Sequence, residues 1–64
     1  MRVILPDGKT MVINSDRASI KCLLEELGIN PQEVLVARNG RIVPEEDLVG
    51  GDDEIKVIRV VHGG

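Results

Sequence analysis

Four groups in this 64-residue chain have the chemistry to act as nucleophile, base or carrier. They are the single thiol of Cys22, the single imidazole of His62, two carboxylate runs, and the carboxylate of an end that reads Gly63-Gly64. No His, Lys or Arg follows Cys22 at a spacing that would activate a thiolate. On a helical wheel it lies with Ala18 and Glu25, opposite an apolar stripe, which makes it a small solvent-face residue. His62 stands two residues from the end. A general base must be held within hydrogen-bond reach of its proton, so His62 reads as a tail residue. Glu45-Glu46-Asp47 and Asp52-Asp53-Glu54 hold six of the eleven acids. They are either solvated loops or a docking surface for a basic partner, and neither adjoins a predicted pocket.

The Gly-Gly end carries the most specific chemistry. At background usage, two terminal glycines arise by chance in roughly 0.5% of chains. One reading is a frayed end. The other is a slender acyl carrier, since residues without Cβ leave the carbonyl unhindered and the backbone free to thread a narrow channel. Four extended residues reach about 13 Å. The carboxylate is ionised at neutral pH and can attack a nucleotide's α-phosphorus, but it accepts nucleophiles only after conversion to an acyl-adenylate.

Composition narrows what else the chain could be. At 7.0 kDa it is one domain at most. It has no room for a large cleft or a dinucleotide-binding unit, and an autonomous enzyme is not expected. It has no aromatic residue on which to stack bases and a net charge of −3, which argue against direct nucleic-acid binding. One cysteine and one histidine exclude an internal disulfide and a soft-ligand metal site. No segment has the length of a signal-peptide core or a membrane span, and a lone free thiol points to a reducing cytoplasm.

The elements that position these groups follow from periodicity. Sixteen residues are Val or Ile, which favours strands. Residues 2–5 and 9–13 form a hairpin about Pro6-Asp7-Gly8. A helix follows, capped by Ser15 or Asp16. Its stripe is Ile20, Leu23, Leu24 and Leu27, with Gly28 as the left-handed C-cap residue. Residues 34–38 make a third strand, Asn39-Gly40 a type I′ turn, and residues 41–43 a fourth strand. Residues 44–48 make a turn with Leu48 as its apolar plug, and residues 54–61 the last strand. There Ile55 and Val57 alternate with Glu54 and Lys56, whereas Ile58, Val60 and Val61 make both faces apolar. That surplus is either a partner strip beside the tail or the mark of an interior strand. The order β-β-α-β-β-β is α+β: a mixed sheet with one helix packed on one face. Pairing the first and last strands in parallel gives a β-grasp; periodicity alone also allows another small α+β roll. Residues 1–64 form a single domain, with 62–64 as a flexible tail.

The hairpin–helix–strand order, Asn39-Gly40-Arg41-Ile42-Val43-Pro44, the stretch from Asp53 to Val61 and the terminal Gly63-Gly64 resemble the ThiS/MoaD family of ubiquitin-like sulfur carriers. The chain is particularly similar to ThiS-like and small archaeal modifier-type members. Its length of 64 residues fits the ThiS-like branch better than the longer molybdopterin-synthase subunit. Gly50-Gly51-Asp52-Asp53 departs from that family's commoner Asp-Gly-Asp, and His62 stands where many members have a third Gly. The resemblance implies a carrier rather than a catalyst. A ubiquitin-activating-type (ThiF/MoeB-like) enzyme would use ATP to adenylate Gly64, with Gly63 giving clearance and no cofactor bound by the carrier itself. A sulfur donor would then form a thiocarboxylate for a synthase making thiazole or molybdopterin, or for a tRNA thiolase. Ile58, Arg59, Val60 and Val61 would meet the activating partner, and the acidic loops would orient it. Two alternatives stand beside this: a protein modifier joined to target lysines through the same end, and a non-covalent β-grasp interaction module with an inert tail.

Overall fold

The computed structural model describes residues 1–14 and 16–60. Ser15 and the stretch Val61, His62, Gly63 and Gly64 lie outside the described residues, and with them the tail and one of the two expected helix caps. Strands β1 (Arg2–Ile4) and β2 (Thr10–Val12) form the expected hairpin. Leu5 and Lys9 close a three-residue loop, and Asp7 Oδ1 accepts from the Lys9 N–H at 2.9 Å. After the short β3 (Ala18–Ser19) come helix α1 (Ile20–Glu26) and a 3₁₀ turn over Pro31–Glu33. Strands β4 (Val34–Arg38), β5 (Arg41–Val43), β6 (Leu48–Val49) and β7 (Glu54–Arg59) complete the chain. The main sheet has the order β2-β1-β7-β4-β5, with β1 and β7 parallel and the other neighbours antiparallel. This is the β-grasp arrangement.

The helix begins later than its sequence indicates. Ser19, not Ser15 or Asp16, is the N-cap, and its hydroxyl oxygen accepts from the Cys22 N–H at 3.1 Å. Residues 18 and 19 are extended because they pair with β6, Ala18 opposite Val49 and Ser19 opposite Leu48. The first helical N–H groups, which no helix can satisfy internally, go to the 44–47 turn. Ile20 donates to the Asp47 carbonyl at 2.9 Å and Lys21 to that of Glu45 at 3.0 Å. Ala18 therefore belongs to β3 rather than to the helix's solvent face. The C-terminal end closes as expected: Gly28 N–H donates to the Glu25 carbonyl and Ile29 N–H to that of Leu24, a Schellman motif.

The core lies between α1 and one face of the sheet. Ile20, Leu23 and Leu24 meet Val3, Val36, Ile55 and Val57, with Val49 filling the end. The apolar plug of the 44–49 segment is thus Val49, wholly buried, and not Leu48, which is 51% exposed. Adjacent residues of a strand face opposite ways, and the β3–β6 register turns Val49 inward. Gly50 follows at a close approach, since a Cβ there would stand 3.3 Å from the Arg17 Cα.

These positions separate cleanly by mutation. Val49→Ala should destabilise the fold by about 2 kcal/mol, the scale of a buried valine's lost methyl groups and cavity. Leu48→Ala should cost less than about 0.5 kcal/mol. Urea unfolding of both variants measures the difference, and equal losses would contradict the inward assignment of Val49.

Candidate functional site

Strand β7 leads the chain toward Gly63-Gly64 through the centre of the sheet. Its six residues span about 17 Å. Asp52 and Asp53 precede its start, at the opposite end of the strand from Val60. Val60, half-buried, lies just past the strand, and its N–H donates to the Glu33 carbonyl at 2.9 Å. Gly63, Gly64 and Val61 lie outside the described residues.

Alternation sorts the last strand as its sequence indicates. Ile55 and Val57 are buried under the helix, while Ile58 on the other face is 37% exposed. An interior strand does not bury Ile58, because only one face of this sheet carries a helix. Ile58 stands opposite Leu35, itself 49% exposed. One step toward the strand's start, Ala37 stands between Lys56 and Ile42. Ile4 flanks Lys56 on the other side. The apolar surface around Ile58 is therefore a patch spread across four strands rather than a strip along one. Leu35 and Ile42 were not identified from the sequence. Alternation with buried Val36 places Leu35 outward, but its pairing with Ile58 needed the β4–β7 register. Arg59 is exposed and falls on the helix side of the sheet by alternation, away from Ile58.

The carboxylates are partly consumed by structure. Glu54 is ion-paired with Arg2. Arg38 lies 3.5 Å from Asp47 and donates to the Leu48 carbonyl at 2.8 Å, tying β4 to the 44–49 segment. Asn39 has φ of 51° and Gly40 of 87°, the type I′ turn expected. Asn39 does more than turn. Its Oδ1 accepts from the Glu54 N–H at 2.9 Å and its Nδ2 donates to Asp53 at 3.2 Å. Asp53 Oδ2 also accepts from the Gly50 N–H at 3.1 Å. That bond above all, helped by Asn39 and the charges of Arg38 and Arg17, holds the Asp53 carboxyl below its usual range against the desolvation that opposes it. Cys22 is exposed and free. Among the described residues, no three His, Cys, Asp or Glu side chains gather as metal ligands, and no helix is long and apolar enough to cross a membrane.

A helix-backed β-grasp whose central strand runs out toward a Gly-Gly end defines a ubiquitin-like domain. The ThiS family model matches residues 5–64. The sulfur carrier protein TtuB of Thermus thermophilus is 35% identical over 66 residues, covering all of both chains. An uncharacterised protein of Archaeoglobus fulgidus is 48% identical over 58 residues, covering 91% of this chain and 85% of its own. The crystal structure of the thiamine biosynthesis protein ThiS from Geobacter metallireducens superposes with a TM-score of 0.70 at 20% identity over the whole of both chains. That protein's solution structure gives 0.63 at 22% identity, covering all of this chain and 88% of that one; both show likeness of fold. The chain belongs to the ThiS family.

The Asp53 network predicts an acid-sensitive contribution to stability. A carboxyl whose pKa is lower folded than unfolded stabilises the fold above its unfolded value, about 3.9. The contribution is lost as pH falls through the folded value. The melting temperature of Asp53→Asn should therefore fall less steeply below about pH 4 than that of the parent chain. Identical acid slopes would show that Asp53 is not part of the acid response.

Proposed function

We propose that this chain is a sulfur carrier protein that works through its end rather than as an enzyme. The observation that carries the reading is the family match through residue 64, together with full-length similarity to a sulfur carrier. In the proposed cycle, the Gly64 carboxylate attacks the α-phosphorus of ATP in an adenylating partner and pyrophosphate leaves. A donor protein's persulfide then attacks the acyl carbon and AMP leaves, giving an acyl disulfide. A thiol reductant cleaves its S–S bond, the donor sulfur leaves as thiolate in a new disulfide, and the carrier is left with a thiocarboxylate. That sulfur passes to a biosynthetic acceptor: thiazole, molybdopterin or a tRNA base. Gly63 contributes clearance, since a side chain there would widen the segment entering the partner's channel. The exposed apolar patch around Ile58 supplies the docking surface, with Val60, Val61 and Arg59 at the point where the tail departs. The reducing cytoplasm suits the thiocarboxylate and the free Cys22 alike.

Removing Gly63 and Gly64 should leave thermal unfolding nearly unchanged, because terminal residues past the last strand add little burial. The same truncation should abolish ATP–pyrophosphate exchange with the adenylating enzyme; persisting exchange would sink the carrier reading. Mass spectrometry of the protein from its own cells distinguishes the fates of the end. A thiocarboxylate marks sulfur carriage, lysine adducts mark conjugation, and a wholly unmodified end marks an inert module.

Ile58→Asp should weaken binding to the adenylating enzyme by at least about tenfold, equivalent to ~1.4 kcal/mol. The variant should still fold, since the carboxylate replaces a side chain that already meets solvent. Calorimetric titration and thermal unfolding of this variant check both halves. An unfolded Ile58→Asp protein would place Ile58 in the core.

A further inference from the structure

We infer that the surface that docks on the open sheet face carries a carboxylate that pairs with Lys56, and that this pair helps select the partner. The inference rests on the docking reading above. The chain as a whole has a net charge of −3, yet the strand residues of this face include one carboxylate, Glu54, which Arg2 already holds. Lys56 has no ion-pair partner among the described residues. It stands directly between Ile4 and Ala37, and two strand positions, about 7 Å, from Ile58.

That placement constrains any protein that covers the patch. A surface laid over Ile4, Ile58, Leu35 and Ile42 also closes over Lys56, because Lys56 stands in the row between Ile4 and the Ala37–Ile42 pair. Closing it removes water from the ammonium, and a desolvated charge without a partner is strongly unfavourable. On the carrier's side of this face one carboxylate, Glu54, stands against two cations, Arg2 and Lys56, and Arg2 already pairs with it, so Lys56 is left in excess charge. The acceptor therefore comes from the other protein, and a carboxylate satisfies the ammonium's charge as well as its donors. Apolar surface supplies area, and the buried charge rejects partners that present a basic or purely apolar face. The complementary surface is thus apolar with an acid near its centre. It differs in sign from the basic partner that the acidic runs suggest; of their residues Glu54 stands on this face, and Arg2 pairs with it.

Three variants of the full chain test this by calorimetric titration against the adenylating enzyme encoded in the same genome, at low and physiological salt. Lys56→Met keeps a long stem beside Ala37, which is only 8% exposed, and removes the charge. It should weaken binding about tenfold or more and reduce the salt dependence, with melting unchanged. Lys56→Glu should weaken binding further, by setting like charges against each other. Lys56→Met that binds as tightly as the parent at both salts, while Ile58→Asp still weakens the complex, would overturn the pair and leave the docking reading intact. Binding indifferent to Ile58→Asp as well would overturn both.

Discussion

Strands β1 and β7 lie side by side and parallel, with Val3 opposite Ile55 at the heart of the sheet, both wholly buried. Parallel neighbours cannot be joined by a tight turn, so everything between residues 5 and 53 serves as their connection. That connection crosses the sheet as α1 and returns to add β4 and β5 on the far side of β7. The last strand is consequently flanked on both sides, with its backbone groups shared between two neighbours. The described chain ends at Val60, just past this central strand.

The same constraint makes the two faces of the sheet unequal. One helix of seven residues covers a single face, and without aromatic side chains the core must be filled by Val, Ile and Leu packed closely. The opposite face keeps apolar side chains in view at Leu35, Ile42 and Ile58. A chain this small could hide them only with another layer, and its residues are already committed. An activity that consists of being handled by other proteins fits such a molecule. The sheet's centre is packed on both sides of the last strand, and the open face is free to be recognised.

Polar residues in the connections tie these parts together through backbone groups. The 44–47 turn accepts from the first helical N–H groups, Arg38 bonds the Leu48 carbonyl, and Asn39 and Asp53 join the β4–β5 turn to the start of β7. Each residue satisfies a group that a chain end or turn would otherwise leave unpaired. The acids of these loops therefore serve the fold as much as the surface. Their sequence clustering suggested a surface role because like charges in a row say nothing of what each one faces.

The sequence by itself determined the features that depend on neighbours within a few positions. The stripe at Ile20, Leu23, Leu24 and Leu27, the Gly28 stop, the Asn39-Gly40 turn and the alternation of Ile55 and Val57 are all local. Each follows from the period of a helix or strand or from the φ that a turn requires. The Gly63-Gly64 end and the family pattern around it were equally readable, since they are statements about residue order. Tertiary structure decided what depends on register between distant segments. It started the helix at Ser19, because residues 18 and 19 pair with 48 and 49. It turned Val49 inward in place of Leu48, and it gathered Leu35, Ala37, Ile42 and Lys56 around Ile58. A one-residue slip between strands reverses every side chain. Only the packed sheet, with its parallel central pair, selects the register that puts these residues on one face.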